Sequence, residues 1–250
     1  MRAYLTLTRR ELGGYFLSIT GYVVLAAVAL LLGWSFVDLL VNLQQQPTPM
    51  PVTELFFVTP FFWLILVLSA PVLTMRLFAL EKFSGTFETL MTAPVSEVQV
   101  VLAKFTTGLL LYLITWLPLL GCLAVVRYFT NDSAALNTGL VASTFLGILL
   151  LGAVFIAWGC LASALTQSQV MAAMVSLAFG VGVFLVSVLA SHVQSAVTWQ
   201  AQLLSSLAFF EQMHNFARGV VDTRPVVLYV SLTFLFLFLT LRVVESRRWK

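Results

Sequence analysis

The charged residues of this chain stand at the borders of long runs that contain none, and that spacing constrains the fold more than any other feature. Residues 12–37, 55–75, 105–126 and 225–241 carry no Asp, Glu, Lys or Arg, and a fifth uncharged stretch runs from Ser133 to Phe210. A helix crosses a hydrocarbon core of about 30 Å with about 20 apolar residues, so each of the first four runs holds one crossing. The fifth has room for two. Thr166-Gln167-Ser168-Gln169, the only cluster of amides and hydroxyls in its apolar part, marks the turn between them. The chain therefore reads as an all-α integral membrane protein. It forms one transmembrane domain over residues 1–250, with six spans near 19–41, 55–75, 101–126, 139–165, 170–191 and 225–243. Composition agrees: 60% of the residues are hydrophobic and 9% charged, where soluble domains carry about 25% charged residues. A disordered chain is excluded, and the balance argues against a soluble enzyme. Cys122 and Cys160 supply neither a disulfide framework nor a CxxC pair.

The first apolar run reads as an uncleaved span. It exceeds the apolar region of a signal peptide, and no small-x-small cleavage site follows before Gln44-Gln45-Gln46. Orientation follows from Lys and Arg. With the N-terminus inside, the cytoplasmic segments hold Arg2, Arg9, Arg10, Arg76, Lys82, Lys104, Arg242, Arg247, Arg248 and Lys250, and the outside keeps Arg127, Arg218 and Arg224. Both termini are expected in the cytoplasm. Trp34, Trp63, Trp116 and Trp249 fall within or close to spans, where a Trp ring can anchor at an interface.

Three segments lie between or before the spans. Met1 to Ser18 mixes Arg9, Arg10 and Glu11 with Leu5, Leu7, Leu12, Tyr15 and Phe16, and Thr8-x-x-Glu11 has capping-box spacing. It reads as a short amphipathic helix on the inner membrane surface. Between spans two and three, Phe83, Phe87, Leu90 and Met91 recur at the spacing of one helical face. Ser84 is a candidate N-cap, Pro94 ends the helix, and Ser96-x-x-Gln99 is a second capping box that opens the third span. Two exposed Phe residues must be buried somewhere: against headgroups and the protein's own spans, or in a groove on a cytoplasmic partner. Ser191 to Arg224 reads as an outer-leaflet amphipathic helix. Leu203, Leu207, Phe210 and Ala217 share one face, Met213, Phe216 and Val220 lie beside it, and Glu211, His214, Asn215 and Arg218 are polar. His192 and His214 read as interfacial polar groups, not metal ligands. Within span four, Gly139, Ser143 and Gly147 form one small-residue face and Gly152, Gly159 and Ser163 another, so this helix is expected to touch neighbours on two sides.

The chemistry that is missing narrows the function. The span centres carry no ionisable residue, with Asp38 and Lys104 near ends and Arg242 able to snorkel, which argues against a proton-coupled carrier. There is no HExxH, GxSxG or GxxxxGK[ST], hence no zinc-protease helix, no serine elbow and no P-loop to hold ATP. Energy for uphill transport would come from another subunit. A sodium-coupled carrier could still use backbone carbonyls, so an ATP-independent secondary transporter or channel stays open, as does a membrane-embedded assembly factor or enzyme.

The run from Thr74 to Ser96, TMRLFALEKFSGTFETLMTAPVS, resembles the ABC-2 type transporter permeases, closest to the gliding-motility and nitrous-oxide-reductase-maturation branch. Residues 163–169, residues 214–222 and the opening with Arg10-Glu11-Leu12, Tyr15-Phe16 and Gly21-Tyr22-Val23 resemble the same family. Leu80 stands where the family often has a second acidic residue, and Ile19-Thr20 replaces a frequent Ser-Pro. The resemblance implies that the Phe83–Met91 helix is a coupling helix docking on an ATP-binding-cassette ATPase, with Glu81, Lys82, Phe83, Phe87, Glu88, Leu90, Met91 and Pro94 at the contact. A charge at Phe87 would then abolish association. It further implies no cofactor or catalytic residue on this chain, ATP-Mg on the partner, and a homo- or heterodimer of permeases. The complex would sit in the inner membrane, as an exporter or as a machine acting on an auxiliary envelope protein, with lipid around it and no nucleic acid.

Overall fold

The computed structural model describes residues 2–45, 52–88, 95–130, 138–192 and 208–248. These residues are helical almost throughout and form no strand: α1 (Arg2–Phe16), α2 (Ile19–Gln45), α3 (Val52–Val58), α4 (Pro60–Thr74), α5 (Ala79–Phe83), α6 (Glu97–Thr130), α7 (Thr138–Leu165), α8 (Gln169–His192), α9 (Phe209–Ala217) and α10 (Thr223–Arg248). Among the described residues six segments are long and apolar enough to cross a membrane: α2, α4 continued through α5, α6, α7, α8 and α10.

Local chemistry explains most boundaries. Ser96 and Gln99 form the expected reciprocal cap at the start of α6: the Ser96 N–H donates to Gln99 Oε1 at 3.4 Å, and the Gln99 N–H donates to Ser96 Oγ at 3.3 Å. The turn at residues 166–168 separates α7 from α8 as expected. The second span differs. Expected from residue 55, its long helix begins at Pro60, because the proline ring disfavours a helical conformation in the residue before it. Thr59 is accordingly extended, with φ −69° and ψ 142°, and residues 52–58 form the separate helix α3. The Thr8–Glu11 capping box is also corrected. Thr8 lies inside α1, where its hydroxyl donates back to the Tyr4 carbonyl at 3.0 Å.

α7 is the centre of the bundle, packed against α4, α6, α8, α9 and α10. Its two small-residue faces meet different neighbours, as expected. Toward α9, the Ser143 hydroxyl donates to the Phe216 carbonyl at 2.6 Å, and a Cβ on Gly147 would lie 3.0 Å from the Phe216 side chain. On the other side, a Cβ on Gly152 would stand 2.0 Å from Tyr112 of α6, and one on Gly159 would stand 2.1 Å from Thr74 Oγ1 of α4. Only hydrogen fits at those two positions, so the small residues set how closely the helices approach. Gly152→Val is expected to cost about 3 kcal/mol or more by overpacking, seen as a lower thermal midpoint of the detergent-solubilised protein.

The outward faces of α2, α8 and α10 are largely uncovered and apolar, with Leu30, Trp34, Met174, Leu185, Val230 and Phe234 exposed. All-helical hydrogen bonding with an apolar exterior is what a hydrocarbon environment requires. Trp34 lies on that exterior, whereas Trp63 and Trp116 pack inside with Phe56, Phe57 and Phe62. Those two rings are core residues, not interfacial anchors. Trp249 is outside the described residues.

Candidate functional site

The segment after α4 is seated by hydrogen bonds from α7. Ser163 Oγ accepts the N–H groups of Phe78 and Ala79, each at 3.0 Å, and donates to the Met75 carbonyl at 3.3 Å. The Lys82 ammonium donates to the Ala164 carbonyl and lies 5.6 Å from the centroid of the Phe87 ring. One serine thus satisfies three backbone groups of a turn whose own helices cannot.

α5 ends sooner than the periodicity predicts. The Ser84 N–H bonds to the Leu80 carbonyl at 2.9 Å, and Gly85 takes φ +73°, a conformation that glycine reaches without the penalty a Cβ imposes. Residues 86–88 are helical again. Ser84 therefore caps the C-terminus of α5 and does not open the next helix. Phe83 and Phe87 do not share one continuous helical face: Phe83 is 79% exposed, and Phe87 is 9% exposed beneath Lys82. Glu88 is exposed. Leu90, Met91 and Pro94 lie outside the described residues.

Beneath this segment sits a charge network that the sequence reading missed. Lys104, read as an end residue, is 2% exposed and contacts Glu81 at 3.0 Å and Glu11 at 3.2 Å. Arg10 contacts the same two carboxylates at 3.2 and 3.4 Å. Four residues thereby join α1, α5 and α6. The available signal was that Glu11 and Lys104 each border an uncharged run, at one end of the bundle and with opposite signs, while Glu81 lies five residues past the Arg76 that closes another. α1 is fixed further by the Tyr4 hydroxyl on Thr106 Oγ1, at 3.0 Å, and by the Tyr15 hydroxyl on the Leu73 carbonyl. Burial pushes the Tyr15 phenol well above its usual range, against the opposing pull of the Arg76 cation, so it stays a neutral donor. A cavity of about 690 Å³ opens between α1 and the α5 segment, lined among others by Arg10, Tyr15, Arg76, Glu81 and Lys104.

The opposite end has a second buried pair. Glu54 of α3, 3% exposed, accepts from Arg218 at 2.7 Å and lies 2.9 Å from His214 Nε2. The Thr53 hydroxyl donates to the Ala217 carbonyl at 3.1 Å. α9 buries Phe209, Met213, Phe216 and Ala217, while Trp63 stacks on Phe210 at 6.0 Å; Val220, expected beside that face, is exposed past the turn at Gly219. Leu203 and Leu207 are outside the described residues. His214 thus lies against a buried carboxylate, a position its sequence neighbours do not reveal. Among the described residues no three His, Cys, Asp or Glu side chains gather into a metal-holding group.

Taken chemically, the α1 end is a rigid seat that ties an exposed turn to three helices. It is suited to transmit a push or pull, since its charged side chains hold one another. No curated protein matches the chain. Residues 37–243 match the family described as "ABC-2 family transporter protein", from the middle of α2 to near the end of α10. With six apolar helices of membrane-crossing length inside or overlapping that match, the chain belongs to the ABC-2 transporter family and is a multi-pass membrane permease subunit.

Proposed function

We propose that this chain is the membrane half of an exporter driven by a separate ATP-binding-cassette ATPase, and that the ATPase docks on the segment from Glu81 to Pro94. The observation that carries the reading is the contrast at Gly85. Phe83 projects into open space from a turn that Ser163, Lys82 and Lys104 fix to α7 and α6. An exposed aromatic on a rigid mount is what a groove on a partner recognises. Glu81, Lys82 and Glu88 orient the contact more than they supply its energy, and Leu90, Met91 and Pro94 continue the docking surface. Phe87 contributes by holding Lys82 in place, so a charge there would disturb the chain's own packing before it touched the partner.

In this reading the chain has no ATP site of its own, and ATP-Mg binds the partner. The Lys and Arg distribution puts both termini and the docking segment in the cytoplasm of a cell whose inner membrane holds the protein. α1 lies along that membrane surface and α9 along the outer one. A second permease copy or a paralogue completes the transmembrane pathway. The resemblance of residues 74–96 to the gliding-motility and nitrous-oxide-reductase-maturation branch favours a complex that exports cargo toward, or acts on, an envelope-bound partner.

The test is affinity purification of the native complex in mild detergent with mass spectrometry of what co-purifies. A stoichiometric ATP-binding subunit is expected with the wild type. With Phe83→Glu it is expected to be lost, while membrane insertion and thermal midpoint stay as in the wild type, because an exposed substitution changes stability by about 0.5 kcal/mol or less. Equal recovery of the ATPase with the Phe83→Glu variant would sink the docking assignment. Absence of any ATPase from the wild-type complex would favour an ATP-independent transporter.

A further inference from the structure

The cavity between α1 and the α5 segment is lined by three cations and two carboxylates, and the charges are not evenly matched. Glu11 and Glu81 are both taken up by Lys104 and Arg10. Arg76 is left over. Its guanidinium reaches the hydroxyls of Ser18, at 3.4 Å, and Thr20, both neutral, and among the described residues it makes no ion pair. A half-buried guanidinium with only hydroxyl partners retains donors suited to a planar or tetrahedral oxyanion.

The surroundings say which oxyanion. Ser18 and Thr20 flank the junction of α1 and α2, where Leu17 is 90% and Ile19 82% exposed. Tyr22 and Val23 continue that exposed apolar strip up α2. The cationic pocket therefore opens beside a surface that faces hydrocarbon, at the depth where span becomes interface. A soluble protein partner would leave that strip uncovered. A phospholipid would place its phosphate on Arg76 and its acyl chains along Ile19, Tyr22 and Val23. Basic pockets at helix ends are a recurring seat for anionic headgroups.

We propose that the α1–α5 cavity binds the phosphate of an anionic phospholipid, with Arg76 as its main ligand and Arg10 at the rim. The bound lipid would wedge α1 against the α5 segment, so lipid occupancy and the position of the docking turn are linked. The site does not depend on the identity of the exported cargo. Nor does it depend on Phe83 contacting an ATPase.

Delipidated full-length protein in detergent provides the test, with phosphatidylglycerol, phosphatidylcholine or inorganic phosphate added at equal concentration. Thermal midpoint and lipid adducts by native mass spectrometry are read together. Phosphatidylglycerol is expected to raise the midpoint and add one retained lipid per chain, where phosphatidylcholine and inorganic phosphate do neither. Arg76→Gln is expected to weaken phosphatidylglycerol binding roughly tenfold, the worth of one charge-assisted contact. Should that variant fold poorly, Gly14 offers a second route. It lines the cavity, and an added Cβ there meets nothing within 4 Å. Gly14→Glu supplies Arg76 with a counter-ion and is expected to lose the lipid, whereas Gly14→Gln, of equal size, keeps it. Equal phosphatidylglycerol binding by the Gly14→Glu and Gly14→Gln proteins overturns the proposal. So does a response to inorganic phosphate equal to that of the lipid, which would make this a free-anion site. Loss of ATPase association in Arg76→Gln with lipid binding intact would make the cavity a protein socket and overturn it as well.

Discussion

Lys104→Met will destabilise the protein by roughly 3 kcal/mol, at the lower end of what removing one partner of a buried ion pair costs. Lys104 is the inaccessible member of its network, and it alone reaches Glu11 and Glu81 from below. Without it, two carboxylates face each other across the space it filled. Arg10 still contacts both, but it is largely exposed, and water screens its charge. The contact that Arg10 keeps, and the partial exposure of both carboxylates, are why the low end of the range applies. The double variant Lys104→Met/Glu81→Leu is expected to recover most of the loss, since replacing a buried pair by apolar groups is often neutral. Chemical or thermal unfolding of these two variants and of Glu81→Leu closes a double-mutant cycle, with an expected coupling of about 2 kcal/mol. Equal stability of wild type and Lys104→Met would mean the network does not hold α1, α5 and α6 together.

At the other end, the order of two substitutions is the informative outcome. Arg218→Met is expected to cost about 3 kcal/mol, because it leaves the Glu54 carboxylate buried with only His214 beside it. Glu54→Gln is expected to cost about 1 kcal/mol: the amide oxygen still accepts, and Arg218, half exposed, can turn to water. Removing the cation therefore hurts more than removing the anion. Hydrogen exchange at residues 209–217 reads the same difference locally, with faster exchange in Arg218→Met. The reverse order would mean that Glu54 is not held by Arg218.

The membrane spans were legible because hydrocarbon imposes one rule on every residue of a crossing. Uncharged runs, the amide and hydroxyl turn at 166–169, and the Ser96–Gln99 cap all survive as read. What was not legible depends on two elements meeting. Pro60 breaks the helix inside a run that is uncharged on both sides of it, so charge counting passed over it. Gly85 breaks a periodicity that continues through it on paper, because a pattern of side chains carries no record of backbone φ. Lys104 and Glu54 looked like boundary charges, since nothing local distinguishes a charge that faces water from one that faces a partner distant in the chain. Ser163 was read as a small packing residue, and it is one, but its hydroxyl also completes the hydrogen bonding of a turn far from it in sequence.

The zero clearance at Gly152 and Gly159 limits how this machine can move. A helix that touches Tyr112 and Thr74 with bare backbone cannot slide along either without a collision within a fraction of an ångström. α4, α6 and α7 are thereby keyed together like the teeth of a locked gear. Any change of shape that keeps those contacts turns the trio as one axle, and α10, packed along α7, turns with it.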